Sequence, residues 1–323
     1  MNSGGGGERR SGTRSPGRTP LLGADPLFRA TVELSRKVAR GASPVLLVGP
    51  TGSGKTQLAK ALHQQGAHPE APFLEWHAGA VPEALLEADL FGVSRGAATG
   101  VRERPGAFES AGQGTLCLVG IELLRPHQQA VLLRALESQA VERVGSTRPT
   151  RIACRLLASF LETPEILVAT GRLRADLLYR LDVIRLELPP LAHRRGDIPV
   201  LAKHFLAKAC KRLGRPRPEI APQLMDALKD HWWPGNLREL AQLMEGLAVR
   251  GGEVLSAEDL PASFFVTADP LAEGLSGRMT LPELKDAYIR AVLARVGGNR
   301  TRAARWLGIS RKALWAHLRR KGS

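Results

Sequence analysis

The sequence predicts an α/β domain with a parallel sheet, followed by a small helical domain and a C-terminal all-α helix-turn-helix. Three observations carry that prediction. The stretch VLLVGPTGSGKT at 45–56 joins an apolar run to a glycine-rich loop. Apolar strand-like runs then alternate with helical patterns up to about residue 188, as a parallel sheet with crossover helices requires. Finally, the last 45 residues hold eleven Lys or Arg against two acidic residues, arranged as short helices across a Gly-containing turn.

Composition bounds the class. At 323 residues the chain can carry two or three domains, and with 43% hydrophobic content it reads as an ordinary soluble protein. It has neither an eighteen-residue apolar run nor an apolar signal-peptide core, so no membrane span is expected. Cys117, Cys154 and Cys210 are far apart and show no metal-ligand spacing, and an odd, sparse set suggests no disulfide framework. A reducing cytoplasm is the expected compartment. The net charge of +15 points to a polyanion partner if it is concentrated in one place, and to solubility if it is spread.

In chain order, residues 1–20 are Gly, Ser, Pro and Arg with little to bury, and are expected to be a disordered basic tail with no sensory domain ahead of the loop. The nucleotide-binding domain is expected over 21–188, with strands at 45–48, 73–76, 115–121, 155–159 and 183–186. Its helices are expected at 26–39, 56–65, 82–88, 126–137 and 173–181. Within it, Gly49, Pro50, Thr51, Gly52, Ser53, Gly54, Lys55 and Thr56 complete the pattern G-x-x-x-x-G-K-[ST]. The glycines let the backbone turn its N–H groups onto phosphate oxygens, Lys55 reaches the β- and γ-phosphates, and the Thr56 hydroxyl is a ligand for Mg²⁺.

A helical lid is expected over 189–265, with helices at 198–213, 222–231 and 237–250 and no intervening strands, followed by a linker at 266–278. In 279–323, Leu284, Tyr288, Ile289, Val292 and Leu293 make one helix face, and Gly297, Gly298 and Asn299 break that helix. A helix at 301–307, a turn at Gly308 and Ile309, and Ser310 as N-cap of a final helix to residue 320 complete a helix-turn-helix. The second helix of such a motif lays its N-terminal side chains in the major groove of DNA. Arg311 and Lys312 are placed for bases; Arg319, Arg320 and Lys321 for phosphates; Arg300, Thr301, Ser310 and Trp315 share the DNA face. Leu307, Ile309, Leu314 and Leu318 are core positions.

Five separated motifs together resemble one family, the bacterial sigma-54-dependent activators or enhancer-binding proteins, over roughly residues 22–318. They are ADLFGVSRGAATGV (88–101), GAFESAGQGTLCLVGI (106–121), GRLRADLLYRLDV (171–183), WPGNLREL (233–240) and GGNRTRAARWLGISRKALWAHL (297–318). The resemblance implies an AAA+ P-loop ATPase domain joined to a Fis-type helix-turn-helix, with ATP and Mg²⁺ as cofactors and DNA as partner. It also implies sigma-54 RNA polymerase as a partner and a homo-oligomeric ring. In that family's pattern Arg174 and Arg180 stand where arginine fingers reach a neighbouring subunit's nucleotide, and Arg238 at the lid arginine called sensor II. The loop Gly96, Ala97, Ala98, Thr99, Gly100 and Val101 stands at the GAFTGA segment that engages sigma-54.

Three departures from that pattern stand out. Val119 and Gly120 occupy the Walker B Asp-Glu positions, and neither can hold a metal or accept a proton. Ala98 replaces the aromatic of GAFTGA, and Phe160 and Leu161 stand where a Thr-Asn type sensor of the γ-phosphate is usual. Losing a positioned general base alone costs about 10²–10⁴ in rate. Glu122, two residues past Gly120, is the one weak substitute: on an extended strand it faces the same side, roughly 6–7 Å further along. The expectation is an ATP-binding, sequence-specific DNA-binding regulator of the sigma-54 type with weak or absent hydrolysis. The alternative is an AAA+ scaffold, nucleotide-sensing or oligomerising, for a DNA-binding repressor or a silent subunit.

Overall fold

The computed structural model describes residues 20–95, 102–261, 264, 280–295 and 300–319. The expectations for the basic tail (all but Pro20), for the loop 96–101 and for the linker 266–278 lie outside them, as do the helix break at 297–299 and Arg320 and Lys321. The chain divides into two compact units, Met1–Val200 and Leu201–Ser323.

The first unit is built on five parallel strands: β1 (Val45–Val48), β2 (Phe73–His77), β3 (Thr115–Val119), β4 (Arg155–Phe160) and β5 (Ile184–Glu187), in the order β2-β3-β4-β1-β5. Every β1 residue is buried, which explains the unbroken apolar run: a strand covered on both faces has no solvent side to mark with polar residues. The period-2 alternation survives as two cores. Leu46, Val48, Leu116, Leu118, Ala158 and Phe160 pack on one face of the sheet; Val45, Leu47, Cys117, Leu157 and Leu186 pack on the other.

The second face is covered by α1 (Pro26–Val38) and α2 (Lys55–Gln64), through Phe28, Val32, Leu58 and Leu62. Asp25 caps α1, its Oδ1 accepting from the Leu27 and Phe28 amides at 3.0 and 3.2 Å, and Pro26 opens the first turn. The first face is covered by α3 (Leu86–Phe91), α4 (Ala107–Ser110), α5 (Pro126–Ser138), α6 (Pro164–Ala169) and α7 (Ala175–Leu181).

The structure corrects several expected elements. The strand expected at 115–121 ends at Val119, because Gly120 adopts φ 75°, ψ 31°, a left-handed conformation that leaves the sheet direction, and Ile121–Leu123 form a single 3₁₀ turn. The helix expected at 82–88 begins instead as a 3₁₀ turn, Glu83–Leu85, and continues as α3. Helix α6 was not expected, since PEILVA is too short for a helical period to show.

The second unit contains most of α8 (Ile198–Leu213) together with α9 (Pro222–Asp230) and α10 (Asn236–Arg250). Leu224, Leu228, Leu240, Met244, Leu247 and Trp233 are fully buried there, and the Trp233 indole donates to the Leu228 carbonyl at 2.8 Å. Contrary to expectation, strands do intervene: Glu219–Ile220 pairs in parallel with Val254–Leu255. Two residues are too few for alternation to be read in sequence.

Helices α11 (Leu281–Arg295), α12 (Arg300–Trp306) and α13 (Arg311–Arg319) follow, around a core of Ile289, Val292, Ala303, Ala304 and Leu314. Leu293, Leu307, Ile309 and Leu318 pack against it as anticipated. Tyr288 does not: it is half exposed, and Ala287 and Asp286 are buried instead. Gly308 makes the turn at φ 65°, and Ser310 caps α13 by accepting from the Ala313 amide at 3.1 Å.

Candidate functional site

The loop between β1 and α2 is shaped by its glycines. A Cβ on Gly49 would lie 2.7 Å from the Leu188 carbonyl oxygen and 2.9 Å from Ser53 Oγ, so only glycine fits between them. Gly52 and Gly54 have φ of 74° and 107°. Gly54 is the N-cap of α2 and offers no side chain to cap that helix. The Lys55 ammonium folds back onto its own loop, donating to the Gly49 and Pro50 carbonyls at 2.5 and 3.0 Å. Ser53 Oγ is buried with no hydrogen-bond partner. A helix start with no capping side chain, an unpartnered buried hydroxyl and a cation held over the loop fit a polyphosphate. Thr56, at the start of α2, supplies a hydroxyl oxygen that could serve Mg²⁺, whose other ligands would come from phosphate and water.

The two positions expected to carry the Walker B carboxylates hold none. Val119 ends β3, level with His77 on β2 and Ser159 on β4. Gly120 carries no side chain, and Phe160, level with Val48, is fully buried. Glu122 corrects the expectation placed on it. It does not continue an extended strand; it sits in the 3₁₀ turn, only 8% exposed, with Oε2 unpartnered. Burial raises its pKa, opposed by its own backbone amide, Arg172 and Lys55, while Glu162 adds to the rise. Arg172 itself is paired with Glu162 at 2.8 Å. Glu122 therefore lies in the electrostatic reach of the loop lysine, but as a desolvated carboxyl whose charged form is disfavoured. Among the described residues no group of three His, Cys, Asp or Glu could hold a metal ion.

Both finger candidates have partners within the chain. Arg174, the N-cap of α7, makes a two-pronged pair with Asp176 at 3.0 and 2.7 Å, both side chains exposed, and its amide donates to Gln129 Oε1. Arg180 donates to the Leu136 carbonyl at 3.0 Å, near the C-terminal end of α5. Between them Tyr179 is 89% exposed. Arg238 is exposed in the first turn of α10, in the second unit. Of the DNA-face residues, Arg300 and Arg311 are exposed and, with Leu314 and Trp315, line one open cavity of about 630 Å³. Thr301 and Ser310 are exposed on the same motif, and Lys312 and Arg319 fall within α13.

Sequence reasoning passed over a buried pair. Arg194 is 1% exposed and Asp197 fully buried, with Nε 3.6 Å from Oδ2; Arg194 lies over the Phe28 ring, 4.3 Å from its centroid. Asp197 Oδ1 accepts from the Ala24 and Asp25 amides at 2.5 and 2.9 Å, tying the segment before α1 to the end of the domain. Burial lowers the Arg194 pKa, with Asp197 and Asp25 opposing.

Comparison with known proteins decides the assignment. Residues 21–187 match the family described as Sigma-54 interaction domain. The chain belongs to the sigma-54 interaction family. Its remaining parts match the AAA+ ATPase lid domain over 192–273 and the Fis family of bacterial regulatory proteins over 280–320. The transcriptional regulatory protein ZraR of Klebsiella oxytoca is 40% identical over 305 residues, covering 93% of this chain and 68% of that one. The regulatory protein AtoC of Escherichia coli (strain K12) is 38% identical over 311 residues, 94% of this chain and 68% of that one. Among solved structures, NtrX from Brucella abortus in complex with ADP superposes with a TM-score of 0.72 at 30% identity, over 94% of this chain and 70% of that one. A second NtrX structure, in complex with ATP, gives a TM-score of 0.70 at 32% identity, over 95% and 70%. This sigma-54 family member is thus a transcriptional regulator with an AAA+ domain and a DNA-binding helix-turn-helix. Among the described residues no helix is long and apolar enough to cross a membrane.

Proposed function

We propose that the protein binds ATP with Mg²⁺ in the loop at 49–56, hydrolyses it weakly or not at all, and couples the bound nucleotide to sequence-specific DNA binding by residues 279–323. One observation carries this reading: the glycines and lysine of the phosphate loop are in place, while the strand ends bear Val119, Gly120 and the buried Phe160, and Glu122 is a desolvated carboxyl whose charged form is disfavoured. Phosphoryl transfer depends on metal-assisted neutralisation of charge and on an oriented water, and the residues at the strand ends serve neither. Mg²⁺, held by Thr56 and the phosphates, would supply charge neutralisation alone. In the assembled form we assign Arg174 and Arg180 to a neighbouring subunit's nucleotide in a homo-oligomeric ring, and Arg238 to the lid side of its own. For Arg174 the exposed Asp176 pair is a weak competitor, since water screens the attraction and the pair must order two side chains.

The test is nucleotide binding measured beside turnover on the same purified protein. Mg-ATP should raise the melting temperature of the parent and not of Lys55→Ala, while phosphate release from the parent stays at the Lys55→Ala background. Steady Mg²⁺-dependent release abolished by Lys55→Ala would sink the proposal. The same strand ends favour a second reading, in which the AAA+ part is a nucleotide-sensing or oligomerising scaffold for a repressor or a silent subunit. The two readings part in a reconstituted sigma-54 transcription assay, where open complexes that depend on this protein support the first and their absence supports the second.

A further inference from the structure

Helix α8 divides sharply by charge. Over residues 203–217 the chain carries six Lys or Arg and no Asp or Glu, whereas α9 and α10 mix both signs. At 3.6 residues per turn Lys203, Lys208 and Lys211 fall within about 140° of one another on one side of α8. Leu201, Ala202, Leu206, Ala209 and Cys210 are the buried side. Ala207 lies among the lysines, and the exposed Val200 and half-buried His204 share that side of the helix. Past the helix end, Gly214 turns the chain at φ 65° and Pro216 stiffens the segment that presents Arg217.

Ordinary explanations account for part of this charge only. Lys211 and Arg212 lie in the last turn, where cations complement the helix dipole. Arg212 is paired with Glu245 on α10, and Arg215 donates to the Val249 carbonyl at 2.5 Å. These two interactions join the end of α8 to α10. Lys203, Lys208, Lys211 and Arg217 are exposed and make no ion pair among the described residues. A surface shaped by solubility alone intersperses the two signs; this one segregates them.

We propose that this face of α8, with the turn after it, is a second DNA-backbone contact surface, outside the helix-turn-helix. The inference rests on the DNA-binding reading above, and duplex DNA is the favoured polyanion because α8 and the helix-turn-helix fall largely in one compact unit. From Lys203 to Lys211 the rise is about 12 Å, matching three to four successive phosphates of one strand along the duplex axis. Lysine ammoniums reading phosphates add affinity and salt dependence without reading sequence.

The experiment uses the full chain and two probes: a random-sequence duplex, and the duplex enriched from a random pool by the parent protein. Binding is followed across a salt series for the parent, for Lys203→Gln/Lys208→Gln/Lys211→Gln/Arg217→Gln, and for a control of equal charge change, Arg29→Gln/Arg36→Gln/Lys37→Gln/Arg40→Gln. Arg311→Ala serves as the helix-turn-helix arm. The α8 variant should lower the slope of log K against log salt by about 2–4, at about 0.9 for each phosphate no longer neutralised. It should also weaken both probes by the same factor, so that their ratio is kept, while the control leaves the slope unchanged. An unchanged slope in the α8 variant, or an equal fall in the control, overturns the proposal. In either case a collapsed probe ratio in Arg311→Ala would show that the DNA-reading helix still stands. Failure of the parent to bind either duplex would overturn both readings together. All eight positions are exposed, so the parent's melting temperature should be retained in both quadruple variants.

Discussion

Putting carboxylates back at the end of β3 separates what that turn does for the fold from what it withholds from chemistry. The perturbation is Val119→Asp/Gly120→Glu in the full chain. Gly120 has φ 75°, where a side-chain-bearing residue costs about 1–2 kcal/mol. The added Cβ itself would find Leu123 Cδ1 at 3.4 Å, an ordinary approach, so the penalty is one of backbone conformation and not of space. Val119 packs partly against the α1–α2 face of the core, and removing its methyls there costs about 1 kcal/mol. The sum, about 2–3 kcal/mol, lowers the melting temperature by roughly 5–10 °C for a unit of this size. Against that loss, a restored base can return up to about 10²–10⁴ in rate. The assay pairs thermal unfolding with phosphate release, using Lys55→Ala as background. The expected result is a less stable protein with at least about tenfold more turnover than the parent, the low end being set by Phe160, which the variant leaves in place. A variant as stable as the parent refutes the argument from the left-handed turn. Unchanged turnover refutes the argument that the absent carboxylates limit hydrolysis.

Three further outcomes follow from the geometry. Asp197→Ala removes the acceptor of the Ala24 and Asp25 amides and leaves Arg194 buried without its counter-charge, so it should cost about 3–5 kcal/mol, read by thermal or urea unfolding. Glu122→Gln should stabilise the protein at neutral pH. Because the folded carboxyl binds its proton more tightly than the unfolded one, the parent loses stability as pH rises from the ordinary carboxylate value through the raised one. The advantage of the glutamine should therefore vanish at acidic pH, below the unfolded value, and unfolding curves across pH check the sign. Ser310→Ala deletes the cap of α13 at a cost of about 1 kcal/mol, which should speed amide exchange in Arg311–Arg319 by about fivefold and weaken DNA binding.

The sheet was legible because its strands are buried on both faces. Runs such as VLLV and TLCLV have no reason to be interrupted, and the turn chemistry around them marks their ends. The phosphate loop was legible for a related reason: close approach and left-handed backbone demand glycine at fixed places, and Gly49, Gly52 and Gly54 stand there. Glu122 was misjudged because its position depends on one backbone angle at Gly120, and a glycine in sequence announces freedom without saying how it is used. Arg194 and Asp197 sit in the polar run HRRGDI, which reads as surface. The return of residues 24–28 over Arg194 and Asp197 buries those two side chains, while His193 and Arg195 stay exposed. Tyr288 failed in the opposite sense: an aromatic at helical spacing was assigned to the core, yet it is half exposed while Ala287 and Asp286 are buried.

The folded-back Lys55 has a consequence for selectivity. Its ammonium is already shared by the Gly49 and Pro50 carbonyls, so a ligand must offer it more than those two dipoles do. An anionic oxygen can displace these carbonyls because a charge-assisted hydrogen bond is stronger than a neutral one. A polyphosphate presents several such oxygens to the ammonium and the start of α2 at once. The loop thus favours a ligand by the number of anionic oxygens it brings together.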